Sequence, residues 1–200
     1  MTQSTSGTSH ADHVMNALEH IEVDPEARQK IAEQRSRNKL RRLDHHAHFT
    51  RDLEGTRRLY EDILGMPMSI AMSIPETPGG DPIPYFHVFF ELGDGSAIAF
   101  FDAPGYEKRE PAQLTGFDHH IAIHVDSLED LEHYRVRLHD ANYAYRFVDH
   151  GVFMSMYIRD PNGMTLEITC SPEGTEGYFV ASRQIAHDEY KKWLENRPTL

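Results

Sequence analysis

What this sequence lacks narrows it first. One cysteine, Cys170, stands in 200 residues. No internal disulfide framework can form, and the expectation is a chain kept in a reducing cytoplasm. No apolar run approaches the roughly 20 residues needed to cross a bilayer, so a membrane partner is not expected. Residues 1–9 are polar and lack the apolar stretch of a secretory leader; they are expected to be disordered. Basic residues are scarce, 20 Lys and Arg against 32 Asp and Glu, for a net charge of −12. That balance argues against a nucleic-acid partner, because neutralising phosphates needs a basic surface. The length suits one domain, or two small modules sharing a core.

Histidine is plentiful, with 14 in the chain. Most are expected to be solvated surface residues, but two open copies of one unit. In Gly116-Phe117-Asp118-His119-His120-Ile121-Ala122-Ile123-His124-Val125-Asp126-Ser127, the residues Ile121, Ile123 and Val125 alternate with His120, Ala122 and His124. A two-residue period marks a half-buried strand. Ser127 then starts a helix whose inner face carries Leu128, Leu131, Tyr134 and Leu138, with Asp130 completing a capping-box-like start. The same unit occurs earlier as Leu43-Asp44-His45-His46-Ala47-His48-Phe49-Thr50-Arg51-Asp52. His45 precedes the helix cap Asp52 by seven residues, as His120 precedes Ser127 (52 − 45 = 127 − 120 = 7), and the copies are offset by 75 (120 − 45). A duplicated unit of this size points to a pseudo-symmetric body with a site on its axis.

Taken in order, residues 1–42 read as a helical extension after the disordered start. Asp24-Pro25-Glu26 caps a helix, and Ile31 and Leu40 are expected to pack it. Module one, 43–103, runs from the His45 strand through a helix from Asp52 to about Leu64, ended by Gly65. Strands at 68–74, 85–92 and 96–101 follow, the last two joined by a turn at Gly93-Asp94-Gly95. A linker at 102–115 leads to module two, 116–170. Its strand at 119–125 and helix at 127–141 are followed by strands at 143–148, 154–159 and 164–169. Residues 171–200 form a loop and a terminal helix from Ser182 to Asn196, anchored by Trp193. Each module is βαβββ, and the fold class is α+β.

Aligning the turns, Asp94-Gly95 with Asn162-Gly163, sets Ser96-Ala97-Ile98-Ala99 against Met164-Thr165-Leu166-Glu167. Glu167 is an acid between two apolar residues in a half-buried strand, a costly placement unless paired or bound to a cation.

These residues resemble the vicinal oxygen chelate superfamily, which includes glyoxalase I, fosfomycin-resistance and bleomycin-resistance proteins and type I extradiol dioxygenases. The resemblance is carried by the His45 strand entering Asp52-Leu53-Glu54, by Leu59-Tyr60-Glu61-Asp62-Ile63-Leu64-Gly65, by His120-Ile121-Ala122-Ile123, and by Tyr157 through Glu167. It implies paired modules forming a cupped mixed sheet around one divalent metal held by His45, His120 and Glu167. Ala99 occupies the fourth ligand position and cannot coordinate. His46 and His119 are the alternatives one residue out of register. Two histidines and a carboxylate suit iron(II); manganese, nickel or zinc are the alternatives. Tyr157 resembles the tyrosine that extradiol dioxygenases place beside a substrate hydroxyl. His150 and His87 are the candidate acid–base groups. The family's usual histidine on the strand matching 96–101 is missing.

The expectation is a non-haem iron(II) dioxygenase of extradiol type that cleaves a catechol-like aromatic with O2, acting as a homodimer. The alternatives are an O2-independent metal enzyme of glyoxalase, epimerase or fosfomycin-resistance type, and a metal-free protein that binds a small molecule.

Overall fold

The computed structural model describes residues 11, 12, 15, 21–104 and 119–198. The expected disorder of residues 1–9 and most of the linker at 102–115 lie outside the described residues.

Helix α1 (Ala27–Arg37) begins where the Asp24 carboxylate accepts the Glu26 backbone N–H at 2.9 Å. Module one follows as β1 (His45–Phe49), α2 (Leu53–Arg57), β2 (Met68–Ile74), β3 (Tyr85–Glu91) and β4 (Ala97–Asp102). Module two repeats the order with β5 (His120–His124), α3 (Leu128–Asp140), β6 (Tyr145–Asp149), β7 (Met154–Arg159) and β8 (Thr165–Cys170). Helix α4 (Glu176–Asn196) closes the chain, starting six residues earlier than Ser182. Each module forms a four-stranded mixed sheet, in the orders β1-β4-β3-β2 and β5-β8-β7-β6. The first strand of each module lies parallel to its last, and the remaining pairs are antiparallel.

Local chemistry sets these elements. The Asp52 carboxylate accepts the Gly55 N–H at 2.8 Å, and a Cβ at residue 55 would fall 2.2 Å from that carboxylate, so a larger residue there would push the carboxylate from its present position. Ser127 accepts the Asp130 N–H at 3.0 Å, as the capping pattern predicts. Gly65, at φ 73°, turns the chain out of the module-one helix. One departure from regular geometry lies just before it. After α2 the helix widens into a π-turn over Arg58–Ile63, and Leu64 N–H reaches back to Leu59 C=O. The widened turn carries Leu59, Tyr60 and Ile63 into the core.

One core serves both modules. Val88, Phe90, Ile98 and Phe100 face it from the first sheet, and Met156, Ile158, Leu166 and Ile168 from the second. Tyr60 stacks on Phe90, with ring centroids 5.5 Å apart, and meets the tilted Phe100 ring at 5.0 Å. The β7–β8 turn also reaches across. Asn162 donates to the Thr56 hydroxyl at 3.2 Å and accepts the Arg51 N–H at 3.1 Å, while the Tyr60 hydroxyl donates to Asp160 at 3.4 Å. Arg137 of α3 returns the contact by donating to the carbonyls of Ile63 and Asp62. The terminal extensions meet one another, with Arg183 donating to Gln34 at 2.8 Å.

Three apolar residues assigned inward positions lie outside. Leu40 is 86 % exposed beyond the end of α1, Leu128 is 50 % exposed at the first residue of α3, and Trp193 is 59 % exposed on α4. Trp193 is therefore not the anchor of its helix; Val180 and Ala181, in the first turns, are the buried residues. In each case helical periodicity indicates a face, but among the described residues nothing covers it at that point.

Candidate metal centre

Strand alternation gives each sheet a helix-covered face and an opposite face. Register places the repeat-equivalent residues identically on the second. His45 pairs with Ala97 and Ala47 with Ala99, as His120 pairs with Thr165 and Ala122 with Glu167. Phe89 pairs with Ala99 as Tyr157 pairs with Glu167. His45, His87, Phe89 and Ala99 therefore share one face of module one, and His120, Ser155, Tyr157 and Glu167 share the matching face of module two.

Glu167 is the chemically unusual residue. It is 4 % exposed, accepts a hydrogen bond from the Ser155 hydroxyl through Oε1, and holds Oε2 3.5 Å from His120 Nε2. A buried carboxylate with an imidazole at one oxygen and a hydroxyl at the other is held in one orientation and in need of a cation. Across the strand pair, the Tyr157 hydroxyl lies 3.0 Å from His150 Nε2. Burial, and then the neighbouring negative charge of Glu167, raise the Tyr157 pKa above the usual tyrosine value, so the hydroxyl keeps its proton. Arg146 lies over the Tyr157 ring, 5.3 Å from its centroid.

In module one His45 is partly exposed, and its Nδ1 lies 2.7 Å from the Asp44 carboxylate. Donation from Nδ1–H to a carboxylate leaves Nε2 as the basic nitrogen, which is how a ligating histidine is commonly oriented. Its ring meets Phe89 edge-on at 5.1 Å and His87 at 6.3 Å. His87 is buried and stacked on Phe101 at 3.8 Å, and its Nε2 finds no hydrogen-bond partner among the described residues. Burial, and then the neighbouring His45, lower the His87 pKa. The Ala99 methyl, fully buried, occupies the position matching Glu167.

The structure thus joins His120 to Glu167 and Tyr157 to His150, and sets His87 beside His45. It also puts His46 and His119 on the helix-covered face, opposite His45 and His120. There His46, His48 and His119 form a cluster whose ligand atoms all lie within 4.8 Å of one another. Burial and the neighbouring rings lower the His46 pKa and push that of His48 down to about 4. Sequence reasoning missed Asp44, Ser155 and Arg146. Asp44 was visible as the residue before His45, and Ser155 as the repeat equivalent of His87; no pattern marked Arg146.

A paired βαβββ fold with a buried carboxylate beside a half-exposed imidazole on its open face is a scaffold for holding a divalent ion. A family model described as the Glyoxalase/Bleomycin resistance protein/Dioxygenase superfamily matches residues 42–168, more than half of the chain. The chain belongs to that superfamily, whose members are usually metal-dependent enzymes and typically bind a divalent metal. Among curated proteins, none matches. A glyoxylase/bleomycin resistance protein/dioxygenase domain from Frankia sp. EAN1pec is similar at a TM-score of 0.55 and 20 % identity, covering 67 % of this chain and 100 % of that one. A glyoxalase/dioxygenase from Nostoc punctiforme has a TM-score of 0.48 at 23 % identity, covering 68 % of this chain and 94 % of its own. A lactoylglutathione lyase from Agrobacterium tumefaciens has 0.48 at 20 %, covering 70 % of this chain and 98 % of its own. Among the described residues no helix is long and apolar enough to cross a membrane.

Proposed function

We propose that the chain is an iron(II)-dependent dioxygenase of extradiol type, with His45, His120 and Glu167 as metal ligands. Two imidazoles and a carboxylate are donor types that suit such an ion, and His120 and Glu167 already meet, although the ligand atoms of His45, His120 and Glu167 are not gathered within 4.8 Å of one another. Glu167 is buried with its two oxygens engaged by Ser155 and His120, and Asp44 orients His45 with Nε2 outward. Ala99 contributes no fourth ligand, which leaves coordination positions for small molecules. A bound iron(II) would supply a Lewis-acidic centre at which the two oxygens of a catechol and O2 are held side by side.

The observation that carries this reading is the Tyr157–His150 pair beside Glu167. The Tyr157 hydroxyl, kept protonated, donates a hydrogen bond to a phenolate oxygen of the substrate. His150, as an Nε2–H donor to the tyrosine oxygen, replaces the proton when Tyr157 passes its own on, so a proton is relayed to the ring oxygen. The Arg146 cation over the Tyr157 ring favours negative charge nearby. His87, packed against the His45 ring, positions that ligand. The substrate is then a small aromatic with adjacent hydroxyls.

The test is O2 uptake by anaerobically purified protein, loaded with iron(II) and offered a panel of simple catechols. Uptake with ring-opened product is the expected result. No uptake with any catechol would sink the proposal. Metal-dependent turnover of an epoxide or a hemithioacetal without O2 would replace it with an isomerase or transferase reading.

A further inference from the structure

We propose that His46, His48 and His119 form a second divalent-metal site, of zinc type, that ties the two modules together along their seam. The site faces away from Glu167. His46 and His48 project from the helix-covered side of β1, and His119 enters the same space from the residue before β5. The ring centroids of His46 and His48 lie 4.2 Å apart, those of His48 and His119 4.6 Å, and those of His46 and His119 5.6 Å. One ligand nitrogen from each lies within 4.8 Å of the other two. A tetrahedral zinc with nitrogens at about 2.05 Å wants them about 3.4 Å apart. Small ring rotations close that gap.

The repeat shows that these histidines are out of place as core residues. With the offset of 75, His46 and His48 correspond to Ile121 and Ile123, which pack against the shared core. Module two fills this face with isoleucine and module one with imidazole, although the fold and the register are the same. His48 also pairs with Phe100, a fully buried core residue. The substitution has a visible cost. The Nε2 of His48 and the Nδ1 of His119 are buried without a hydrogen-bond partner among the described residues, and an unmet polar atom of this kind is normally paired. A metal ion supplies both partners at once.

The donor set selects the ion. Three imidazoles without a carboxylate favour zinc, and after it cobalt, nickel or copper, over the oxygen-preferring magnesium, calcium and manganese. Two ligands come from module one and one from module two, so binding restrains the modules relative to each other. The proposal does not depend on the dioxygenase reading, because no residue is shared with it.

The test uses the full chain stripped with a chelator and titrated with cobalt(II), and separately with zinc. The double substitution His120→Ala and Glu167→Ala removes two of the three opposite-face donors and leaves His45 alone of that set; Ala99 shows that the fold accepts alanine at the second position. This protein is expected to bind about one equivalent of cobalt with the intense visible bands of a tetrahedral site, and zinc is expected to raise its melting temperature. Adding His46→Ile and His48→Ile, the residues of module two, abolishes the bands and the zinc-dependent shift. His119→Ala, at a position outside any strand, gives the same result independently. The proposal is overturned if the His120→Ala/Glu167→Ala protein binds no cobalt, or if it binds cobalt equally with the seam histidines replaced.

Discussion

Replacing Tyr157 with phenylalanine removes one oxygen and keeps the ring, so its effects on folding and on chemistry can be separated. In folding, the lost group is a hydroxyl 3.0 Å from His150 Nε2 in a partly buried setting. A neutral hydrogen bond of this kind contributes about 1 kcal/mol. For a chain of this length that is a fall of about 2–4 °C in Tm. In chemistry, the lost group is the donor to a developing phenolate charge, and removing one such preorganised donor lowers kcat by about 100- to 1000-fold. The two predictions differ enough to be told apart: the variant should stay folded, hold iron as the parent does, and lose nearly all O2 uptake with catechols. Differential scanning fluorimetry, metal analysis and an oxygen electrode on the same preparation read all three quantities. Unchanged turnover would refute the role given to Tyr157. Loss of iron along with activity would show instead that Tyr157 supports the ligands.

Further outcomes follow from other residues. Glu167→Gln keeps the shape of a buried ligand but removes its charge, and should lower iron affinity by at least about 10-fold with little change in the circular dichroism spectrum; retained affinity would remove Glu167 from the ligand set. Tyr143 donates to the Arg159 carbonyl at 2.6 Å, and burial followed by the charge of Asp160 pushes its pKa up to about 12. Because the folded-state value is raised, the unfolded chain loses this proton first. The stabilisation is present in full below about pH 10 and is lost as pH rises towards 12. After discounting for partial exposure it is about 1–2 kcal/mol, and Tyr143→Phe should flatten alkaline unfolding over that window. Asn162→Ala breaks the bonds to Thr56 and Arg51, and should cost about 1–3 kcal/mol by urea unfolding; a change under about 0.5 kcal/mol would mean that the β7–β8 turn does not clamp α2.

Most of the fold could be read because it is written twice. The seven-residue interval from histidine to helix cap and the match of Asp94-Gly95 with Asn162-Gly163 fixed equivalences that strand register reproduces residue for residue, Ala99 against Glu167 included. Alternation in 119–125 also assigned His120 and Ile121 to opposite faces. What could not be read depends on contacts between distant residues. The hydrogen bond from Ser155 to Glu167 has no counterpart in module one, where His87 and Ala99 stand at those positions, and Leu40, Leu128 and Trp193 are left uncovered among the described residues. The π-turn at Arg58–Ile63 fits three inward side chains to a sheet that a helical wheel does not contain. The cluster of His46, His48 and His119 arises because two segments about 70 residues apart in sequence (119 − 48 = 71) meet at the seam.

The grip of Asn162 and Asp160 on Thr56, Arg51 and Tyr60 also sets the order of events at birth. These partners are separated by 100 to 111 residues. At the usual synthesis rate of about 5–20 residues per second, α2 waits about 5–20 s for the turn that clamps it. During that interval Leu59, Phe90 and Phe100 have only half of their core. Module one is therefore expected to leave the ribosome as a sticky half-body, and to become a chaperone's concern until its twin arrives.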